Sequence, residues 1–446
     1  MRTWIRWQDW TNAVLGTYVL SVPLFTSDSS DRATIWAAEI LGGLIVLVAL
    51  WALAVPDSQA AEWSNAVLSA CLLVAPWVLG YSDIGGAAGN AWTVGALVVV
   101  FSLWALVEAR QAQRGAEDVS GPYPNSQPPA RRRMRWVRRA LAGTAGLIAL
   151  LLIAALVIAY LWQPPQGRTY HSAYLAQVGS HYVDTPIARF HYLKAGDGPP
   201  VVLVPGGALW SYSYRGLIPA LASRFTVYAV DLPGQGYTKV SRDGFGYDLA
   251  SMSSALGSFM NAVRVTHACV VGHSLGGAIA LYFAERHPRR VSRLVLIDAP
   301  GLADPAIWSW RAFEIPVLGE VIGKLMRRST FEDSLRSAYF VHHRRLSAHD
   351  VDEYWAPLTR RENRQAMWLE PRRFDFSLTE RGLSDLRVPT LILWGDQDHV
   401  VEPWQARELG RRIRGAATVI LPACGHNVHE DCPAGATRRL SSFLAS

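Results

Sequence analysis

Residues 269–288 contain a serine whose neighbours are typical of a nucleophile. The stretch reads CVVGHSLGGAIALYFAERHP, in which an apolar run leads into Gly272-His273-Ser274-Leu275-Gly276 and an amphipathic run follows. This order predicts a strand that turns sharply into a helix through G-x-S-x-G, with the serine hydroxyl projecting from the edge of a sheet. Glycine is expected on both sides of the serine because a side chain there would collide with the adjoining strand or helix.

A serine hydroxyl is a weak nucleophile at neutral pH, so it needs a base, and the base needs an orienting carboxylate. Two later stretches supply candidates. LILWGDQDHVVEP contains Asp396 and Asp398, and LPACGHNVHEDCP contains His426 and His429. Asp298 ends another apolar run and is a further candidate acid. The residues alone leave these alternatives open.

The elements that must position these side chains alternate between strands and helices from about residue 170 onward. Six short apolar runs read as buried parallel strands: VVLV (201–204), TVYAV (226–230), CVVG (269–272), RLVLID (293–298), PTLILWG (389–395) and TVILP (418–422). Helical sequence fills most of the gaps, and 181–193 reads as a leading antiparallel hairpin. This βαβ rhythm predicts an open α/β sheet flanked by helices.

Together these features resemble the α/β-hydrolase fold family, in its serine hydrolase branch, from about residue 180 to 446. DLPGQGYT (231–238) is similar to the family's D-x-x-G-x-G-x-S loop, and HPRRVSRLVLIDAPG (287–301) is similar to the segment that enters its sixth strand. The resemblance implies a domain over 170–446 with a mostly parallel eight-stranded sheet. It also implies that the long helical insertion at about 302–386 is a cap.

The same resemblance selects among the candidate acids and bases. The family pattern W-G-x-x-D implies Asp398 as the acid, and its G-H-x-x-x-x-E-x-P tail implies His426 as the base of a triad with Ser274. Asp396 is then expected in a solvated turn and Asp298 in a structural role. His429 is expected behind the site or at the surface.

Two backbone amides are expected to bind the negative oxygen of a tetrahedral intermediate. One is the amide of Leu275, at the positive start of the helix after the serine. The other is the amide of Gly207, in the loop after the first buried parallel strand. The family usually carries His-Gly-x in that loop, whereas this chain reads Pro205-Gly206-Gly207. A backbone donor survives that change, since it needs no side chain.

The first third of the chain is apolar and internally repeated. WTNAVLGTYVLSVP (10–23) aligns with WSNAVLSACLLVAP (63–76), and LWAL recurs with the same offset. Over residues 7–107 this resembles the SPW-repeat membrane family, with the Ser-Pro-Trp signature degraded to SVP and APW. Five runs predict membrane spans: about 11–25, 33–55, 64–80, 90–107 and 140–162.

Charge placement predicts the topology of these spans. Lys and Arg concentrate at the amino terminus and between the fourth and fifth spans, where RRRMRWVRR occupies 131–139. The positive-inside rule then places both in the cytoplasm and everything after Trp162 outside it. The expected organisation is an all-α membrane domain (1–107), a basic Pro-rich cytoplasmic linker (108–139), a transmembrane helix (140–162) and the hydrolase domain. A bacterial-type inner membrane protein is expected.

Composition excludes several other classes. The pI is about 9.3, but the basic cluster reads as a juxtamembrane stop and no nucleic-acid recognition motif is present. The histidines show no metal-ligand spacing, so neither metal nor other cofactor is expected. Four cysteines are too few for a disulfide scaffold. Cys424 and Cys432 flank the proposed base and either pair in an oxidising compartment or are simply small residues in a loop.

These observations favour a membrane-anchored serine hydrolase that acts on a small-molecule or lipid-like carboxylic ester through an acyl-enzyme. Cap aromatics (Trp308, Trp310, Phe313, Trp355 and Trp368) suit an apolar substrate, or else simply form the core of the cap. Carbon–carbon bond hydrolysis and perhydrolysis use the same triad. The alternative is a non-catalytic sensor or binding module on the hydrolase fold. The sequence predicts that the protein binds the lipid bilayer, and it leaves any protein partner unknown.

Overall fold

The computed structural model describes residues 7–21, 32–55, 58–78, 85–119, 154–155, 157–164, 172–241, 244–303 and 308–446. The chain divides into two compact units. The first contains residues 1–162 and 315–318, and the second contains 163–314 and 319–446.

The first unit contains four described helices: α1 (Trp7–Ser21), α2 (Arg32–Ala54), α3 (Gln59–Val78) and α4 (Gly85–Val119). They coincide with the first four apolar runs. α3 continues through Pro76, and α4 extends into the range expected to be linker. The rest of that linker and residues 140–153 of the fifth run lie outside the described residues, and Val157–Leu161 form a short π-helical turn.

Glycines bring the helices of each hairpin into close contact. A Cβ on Gly42 of α2 would lie 2.8 Å from the backbone nitrogen of Leu20 in α1. A Cβ on Gly95 of α4 would lie 3.0 Å from the backbone oxygen of Ser69 and 3.1 Å from the nitrogen of Leu73 in α3. Gly95 and Leu73 are the repeat equivalents of Gly42 and Leu20, so the sequence duplication is also a duplication of helix packing.

Two described helical segments are long and apolar enough to cross a membrane, Gln59–Val78 and Gly89–Glu108. A shorter apolar segment covers Ile40–Leu53. Large apolar side chains point outward from this unit; Val14 and Leu47 are each 64% exposed and Trp77 is 63% exposed.

The second unit is built on one sheet. Its strands are β1 (His181–Asp184), β2 (Ala188–Ala195), β3 (Pro200–Val204), β4 (Thr226–Val230), β5 (Lys239–Val240), β6 (Ala268–His273), β7 (Val291–Ile297), β8 (Thr390–Gly395) and β9 (Ala417–Leu421). The order is β1-β2-β4-β3-β6-β7-β8-β9, with β5 paired to β2. β1, β2 and β5 pair antiparallel and the other strands pair parallel.

The mostly parallel α/β sheet predicted from the sequence is confirmed, with one difference in strand count. The sheet has nine strands, because the two-residue β5 adds to the expected eight. Residues of the central strands alternate between two cores. Val202 and Val204 of β3 pack into one and Val201 and Leu203 into the other. Burial on both faces explains why these strands read as continuous apolar runs.

Helices cover both faces and the carboxyl edge of the sheet. Those outside the insertion are α5 (Ala173–Val178), α6 (Ile218–Ala222), α7 (Leu249–Ala262), α8 (Leu275–Arg286), α15 (Trp404–Arg412), α16 (Val428–Asp431) and α17 (Pro433–Ala445). Between β7 and β8 the insertion contains α9 (Trp308–Glu314), α10 (Leu318–Leu325), α11 (Arg328–Ser334), α12 (Ala348–Leu358), α13 (Arg361–Arg373) and α14 (Ser377–Glu380). The insertion, here called the cap, has a core around Phe331, Val351 and Tyr354 that includes Trp210 and Tyr212.

The glycine contact between α1 and α2 gives a testable prediction. We expect Gly42→Ala to lower the melting temperature of the detergent-solubilised chain, because overpacking of about 1–3 kcal/mol exceeds the gain in helix propensity of about 1 kcal/mol. Gly43→Ala is the matched control, since its Cβ would find only the Leu20 side chain, at 4.0 Å. It should melt at or above the wild-type temperature. Equal melting of the two variants would contradict the packing.

Candidate active site

Ser274 lies in the turn between β6 and α8 with φ 50° and ψ −124°. This left-handed conformation costs a non-glycine residue about 1–3 kcal/mol. Neighbouring contacts hold it: the Ser274 amide donates to the Ile297 oxygen at 2.8 Å, and the Gly277 amide donates to the Ser274 oxygen at 2.8 Å. The serine is therefore fixed at the carboxyl edge of the sheet.

The flanking glycines permit this turn by allowing backbone to approach backbone. A Cβ on Gly272 would lie 2.3 Å from the oxygen of Gly276. A Cβ on Gly276 would lie 2.3 Å from the oxygens of Val204 and Pro205, at the end of β3. No side chain fits at either position, which is the reason for glycine that the motif predicts.

The structure brings Ser274, His426 and Asp398 into one hydrogen-bonded line. Ser274 Oγ lies 2.8 Å from His426 Nε2, and His426 Nδ1 lies 2.8 Å from Asp398 Oδ2. His426 and Asp398 are buried, and Ser274 is 8% exposed. If Nδ1 donates to the carboxylate, Nε2 is left as an acceptor for the serine proton. This arrangement can activate the hydroxyl as a nucleophile.

The carboxylate of Asp398 is held by the turn after β8. Its Oδ1 accepts the amides of Val400 at 2.8 Å and Val401 at 2.9 Å, which leaves Oδ2 to face His426. The other two candidate acids lie elsewhere. Asp396 is exposed and accepts the Cys424 amide at 3.3 Å. Asp298 is buried and accepts the amides of Gly395 at 2.9 Å and Val428 at 3.1 Å.

Asp298 therefore braces the elements on either side of the site without contacting the imidazole through a hydrogen bond. Burial, and secondarily the negative charge of Asp398, raise the pKa of Asp298 well above its usual range. The structure places Asp298 in the structural position expected for it, between the end of β8 and the start of α16.

His426 lies in a loop that is tied down from several directions. His273 Nε2 lies 3.0 Å from the His426 backbone oxygen, and the Asn427 amide donates to the Tyr339 oxygen at 3.0 Å. Cys424 and Cys432 form a disulfide that encloses the loop. Sequence reasoning left that pairing open, and it assigned no role to His273 or to Tyr339 of the cap. These contacts join loops that are distant along the chain, and no local sequence pattern marks them, so the sequence did not predict these roles.

A second imidazole, that of His429, lies behind His426 and is buried. Its ring packs against His273 with a centroid distance of 4.7 Å and against Tyr214 at 5.1 Å. Burial lowers the pKa of His429 to about 3, and burial likewise lowers the pKa of His273 well below its usual range. Both rings are therefore neutral at physiological pH.

Of the two residues expected to supply oxyanion donors, Gly207 lies in the loop after β3 and Leu275 is the first residue of α8, next to that loop. A Cβ on Gly207 would lie 3.4 Å from Leu275 Cδ2 and 3.7 Å from Leu275 Cβ. A Cβ on the adjacent Gly206 would lie 3.1 Å from Ser274 Cβ. Amides in these positions can stabilise a developing negative charge, and the start of α8 adds its positive dipole end.

Gln235 supports the loop in which proline replaces the family's histidine. Its Nε2 lies 3.2 Å from the backbone oxygens of both Pro205 and Gly206, and its Oε1 accepts the Leu232 amide at 3.1 Å. Gln235 is 1% exposed. Sequence reasoning matched the loop DLPGQGYT to the family but missed this function of its glutamine.

One group of potential metal ligands occurs within the described part of the chain: His342, Asp431 and Cys432. Cys432 is in the disulfide. Asp431 accepts the backbone amides of Val341 at 3.0 Å, His342 at 2.9 Å and Gly425 at 2.8 Å. These side chains already have structural roles in holding the loop that carries His426.

Comparison with known families agrees with the fold and the geometry. The family model described as "Alpha/beta hydrolase family" matches residues 201–440. The chain belongs to the α/β-hydrolase family. A second model, the SPW repeat domain, matches residues 6–105 of this α/β-hydrolase, so the fusion of the two domains predicted from the sequence is confirmed.

Relatives of this α/β-hydrolase catalyse several reactions. It is 28% identical to a cis-3-alkyl-4-alkyloxetan-2-one decarboxylase of Shewanella oneidensis, over 59% of this chain and 87% of the relative. It is 29% identical to a 2-hydroxy-6-oxo-2,4-heptadienoate hydrolase of Pseudomonas putida, over 56% and 91%. It is 24% identical to a monoacylglycerol lipase of Xenopus laevis, over 68% and 93%. These relatives support a hydrolase.

Solved structures agree on the fold of the second unit. The crystal structure of wild-type Cfl2 from Burkholderia cenocepacia matches with a TM-score of 0.54 and 26% identity. The match covers 59% of this α/β-hydrolase and 95% of that chain.

The contacts of Gln235 give a prediction for this α/β-hydrolase. We expect Gln235→Met to lower the free energy of unfolding by about 1–3 kcal/mol, because the carbonyls of residues 205 and 206 and the Leu232 amide lose their buried partner. Chemical denaturation of the full chain measures the effect. Gln177→Met, at an exposed position on α5, should leave stability within about 0.5 kcal/mol of wild type. A neutral Gln235→Met would show that the loop needs no side-chain support.

Proposed function

We propose that the protein is a membrane-anchored serine hydrolase that cleaves carboxylic esters, with Ser274 as nucleophile, His426 as base and Asp398 as orienting acid. One observation carries the proposal: the two 2.8 Å contacts that join Ser274 Oγ, His426 and Asp398 at the end of the sheet. The strained serine conformation and the adjacent amides of Gly207 and Leu275 support it.

In the proposed mechanism, Ser274 Oγ attacks the ester carbonyl carbon while its proton passes to His426 Nε2. Asp398 stabilises the imidazolium that forms, and the amides of Gly207 and Leu275 bind the oxyanion. His426 then returns the proton to the departing alcohol, which leaves an acyl-enzyme. Water, deprotonated by His426, attacks the acyl carbonyl and releases the carboxylic acid and free Ser274.

The substrate class is proposed to be an apolar or lipid-like ester. The Xenopus monoacylglycerol lipase and the membrane-like first unit support it. The cap aromatics give little support, because those described pack within the protein. The Trp310 ring lies 6.1 Å from that of Phe376, and the Trp355 ring lies 5.8 Å from that of Phe331. Trp368 is 7% exposed.

Carbon–carbon bond hydrolysis is the second candidate. The Pseudomonas putida relative, a 2-hydroxy-6-oxo-2,4-heptadienoate hydrolase that is 29% identical, favours it. Both reactions would use the same nucleophile and base, and they differ in the leaving group. Carbon–carbon bond hydrolysis releases a carbanion equivalent, whereas ester hydrolysis releases an alcohol. Product analysis with an oxo-dienoate and with a simple ester decides between them.

The membrane anchor and its orientation are part of the proposal. Outward-facing apolar side chains on the first unit support insertion into a bilayer. The Arg-rich segment at 131–139 supports a cytoplasmic location for the linker. The disulfide between Cys424 and Cys432 supports an oxidising compartment for the hydrolase domain. The charge distribution and the disulfide therefore favour, independently of each other, a hydrolase domain outside the cytoplasm.

A fluorophosphonate probe tests the nucleophile. We expect the full-length protein to be labelled covalently and Ser274→Ala to be unlabelled. Asp398→Asn should be labelled more slowly, by a factor of about 10⁴, because the imidazole loses its correct tautomer. In-gel fluorescence over time measures both effects.

Matched variants control for damage to the fold. Ser254→Ala changes an exposed serine on α7, and Asp396→Asn changes the exposed acid two residues before Asp398. Both should be labelled at the wild-type rate. Absence of labelling in well-folded wild-type protein would favour the non-catalytic sensor or binding module.

Protease accessibility tests the orientation. Protease added to intact bacterial spheroplasts should degrade the domain after Trp162, while an epitope inserted in the 108–139 linker survives until the membrane is lysed. Immunoblots for the two regions measure this. The opposite pattern, with the hydrolase domain protected and the linker cut, would reverse the proposed topology.

A further inference from the structure

Glu370 is a buried carboxyl in the cap to which the mechanism assigns no role. It lies on α13 and is 4% exposed, and its Oε1 has no hydrogen-bond partner. A buried polar group without a hydrogen-bond partner destabilises the fold. A group retained at that cost is a candidate for contact with a ligand.

The carboxyl of Glu370 faces two loops of the hydrolase sheet. Its Oε2 lies 3.8 Å from the position that a Cβ on Gly207 would occupy, and its Oε1 lies 3.4 Å from the corresponding position on Gly234. At Gly207 a Cβ would meet its neighbours only at 3.4 Å or more, whereas at Gly234 it would lie 2.4 Å from the Cβ of Ala366, so the loop with Gly234 packs tightly against α13. Gly207 carries one proposed oxyanion donor, and the other, Leu275, lies directly across from it.

The charged and titratable groups around Glu370 leave its carboxyl neutral. Burial alone raises the pKa of Glu370 to about 8. Tyr247, from the segment before α7, contacts the same Gly234 position with its ring, and burial raises the pKa of Tyr247 above its ordinary value. Arg373, on the same helix as Glu370, donates instead to the Gly246 oxygen at 2.8 Å. At physiological pH the acid is mainly protonated and has a proton to donate.

These positions constrain a bound substrate. A carbonyl oxygen held by the amides of Gly207 and Leu275 places the adjoining substrate atoms next to the Glu370 carboxyl. We propose that Glu370 determines specificity by donating a hydrogen bond to a neutral acceptor oxygen of the substrate, so that preferred esters carry a hydroxyl or keto oxygen close to the reacting carbonyl. This proposal rests on the ester hydrolase function proposed above.

A matched pair of substrates tests it: p-nitrophenyl 4-oxopentanoate, whose keto oxygen can only accept a hydrogen bond, and p-nitrophenyl pentanoate, with the full chain in detergent. Wild type should prefer the keto ester in kcat/KM. Glu370→Met should reduce that preference by about 2- to 12-fold, the equivalent of one hydrogen bond of 0.5–1.5 kcal/mol. Glu370→Gln should retain most of it, since the amide still donates.

The pH dependence separates a substrate contact from a structural role. In wild type the preference should be present below about pH 8 and be lost above it, because the raised pKa of Glu370 keeps the donor protonated only up to that point. In Glu370→Gln the preference should not change across that range. A purely structural carboxyl would alter stability with pH and leave the ratio for the two esters constant.

Glu285 supplies the matched control. It is half-buried, its Oε1 is buried without a partner, and burial raises its pKa to about 8, but it lies near the end of α8 that is far from Ser274. Glu285→Met should leave the substrate preference unchanged. An unchanged preference in Glu370→Met, with both esters still hydrolysed, would overturn the role of Glu370 alone. If wild type hydrolyses neither ester, the ester hydrolase proposal falls and this one falls with it.

Discussion

Close approach of backbone to backbone around Ser274 is the constraint on which the proposed chemistry depends. The oxygen of Gly276 occupies the space of a side chain at 272, and the oxygens that end β3 occupy the space of a side chain at 276. This contact sets the start of α8 against β3, which also carries the loop with Gly207. The serine, the helix start and the facing loop are therefore positioned by one packing arrangement, and none can shift without the others.

The loop of His426 is positioned by a different principle, since it has no regular structure until α16 begins. Backbone groups in it are held by Asp298, Asp431, His273 and Tyr339, and a disulfide closes it. Burial lowers the pKa of His273 and of His429, so the imidazoles packed behind His426 are neutral and add no positive charge. Tyr339 belongs to the cap, and its ring lies 5.2 Å from that of His426. Because Tyr339 contacts the His426 ring and its loop, a movement of the cap would change the surroundings of His426 directly.

What the sequence could predict depended on how local the signal was. Six strands and the turn at Ser274 follow from short apolar runs and glycine spacing, and the structure has a strand in each run. The expectation that all six are buried is wrong for β9, because it is the edge strand and its residues are exposed or half-buried. The choice of Asp398 over Asp396 and Asp298 required a family resemblance, because all three follow strands. Gln235 and Glu370 were missed because their importance arises only when distant loops meet. β5 was missed because two residues carry no periodicity.

The repeated hairpins are a second case in which local sequence patterns did not predict how the elements pack. α2 packs on α3 and α4 packs on α1, so one kind of interface is used twice and the two copies close on each other. The copies have nonetheless diverged inside. In the interface between α1 and α4, the Asn12 side chain donates to Ser102 at 3.2 Å. In the interface between α3 and α2, the equivalent residues are Asn65 and Ala49, so the serine acceptor is absent. Both amide atoms of Asn65 are buried without a hydrogen-bond partner. The interface between α1 and α4 therefore contains a polar pair that the interface between α2 and α3 lacks, whereas the matched glycine contacts lie between α1 and α2 and between α3 and α4.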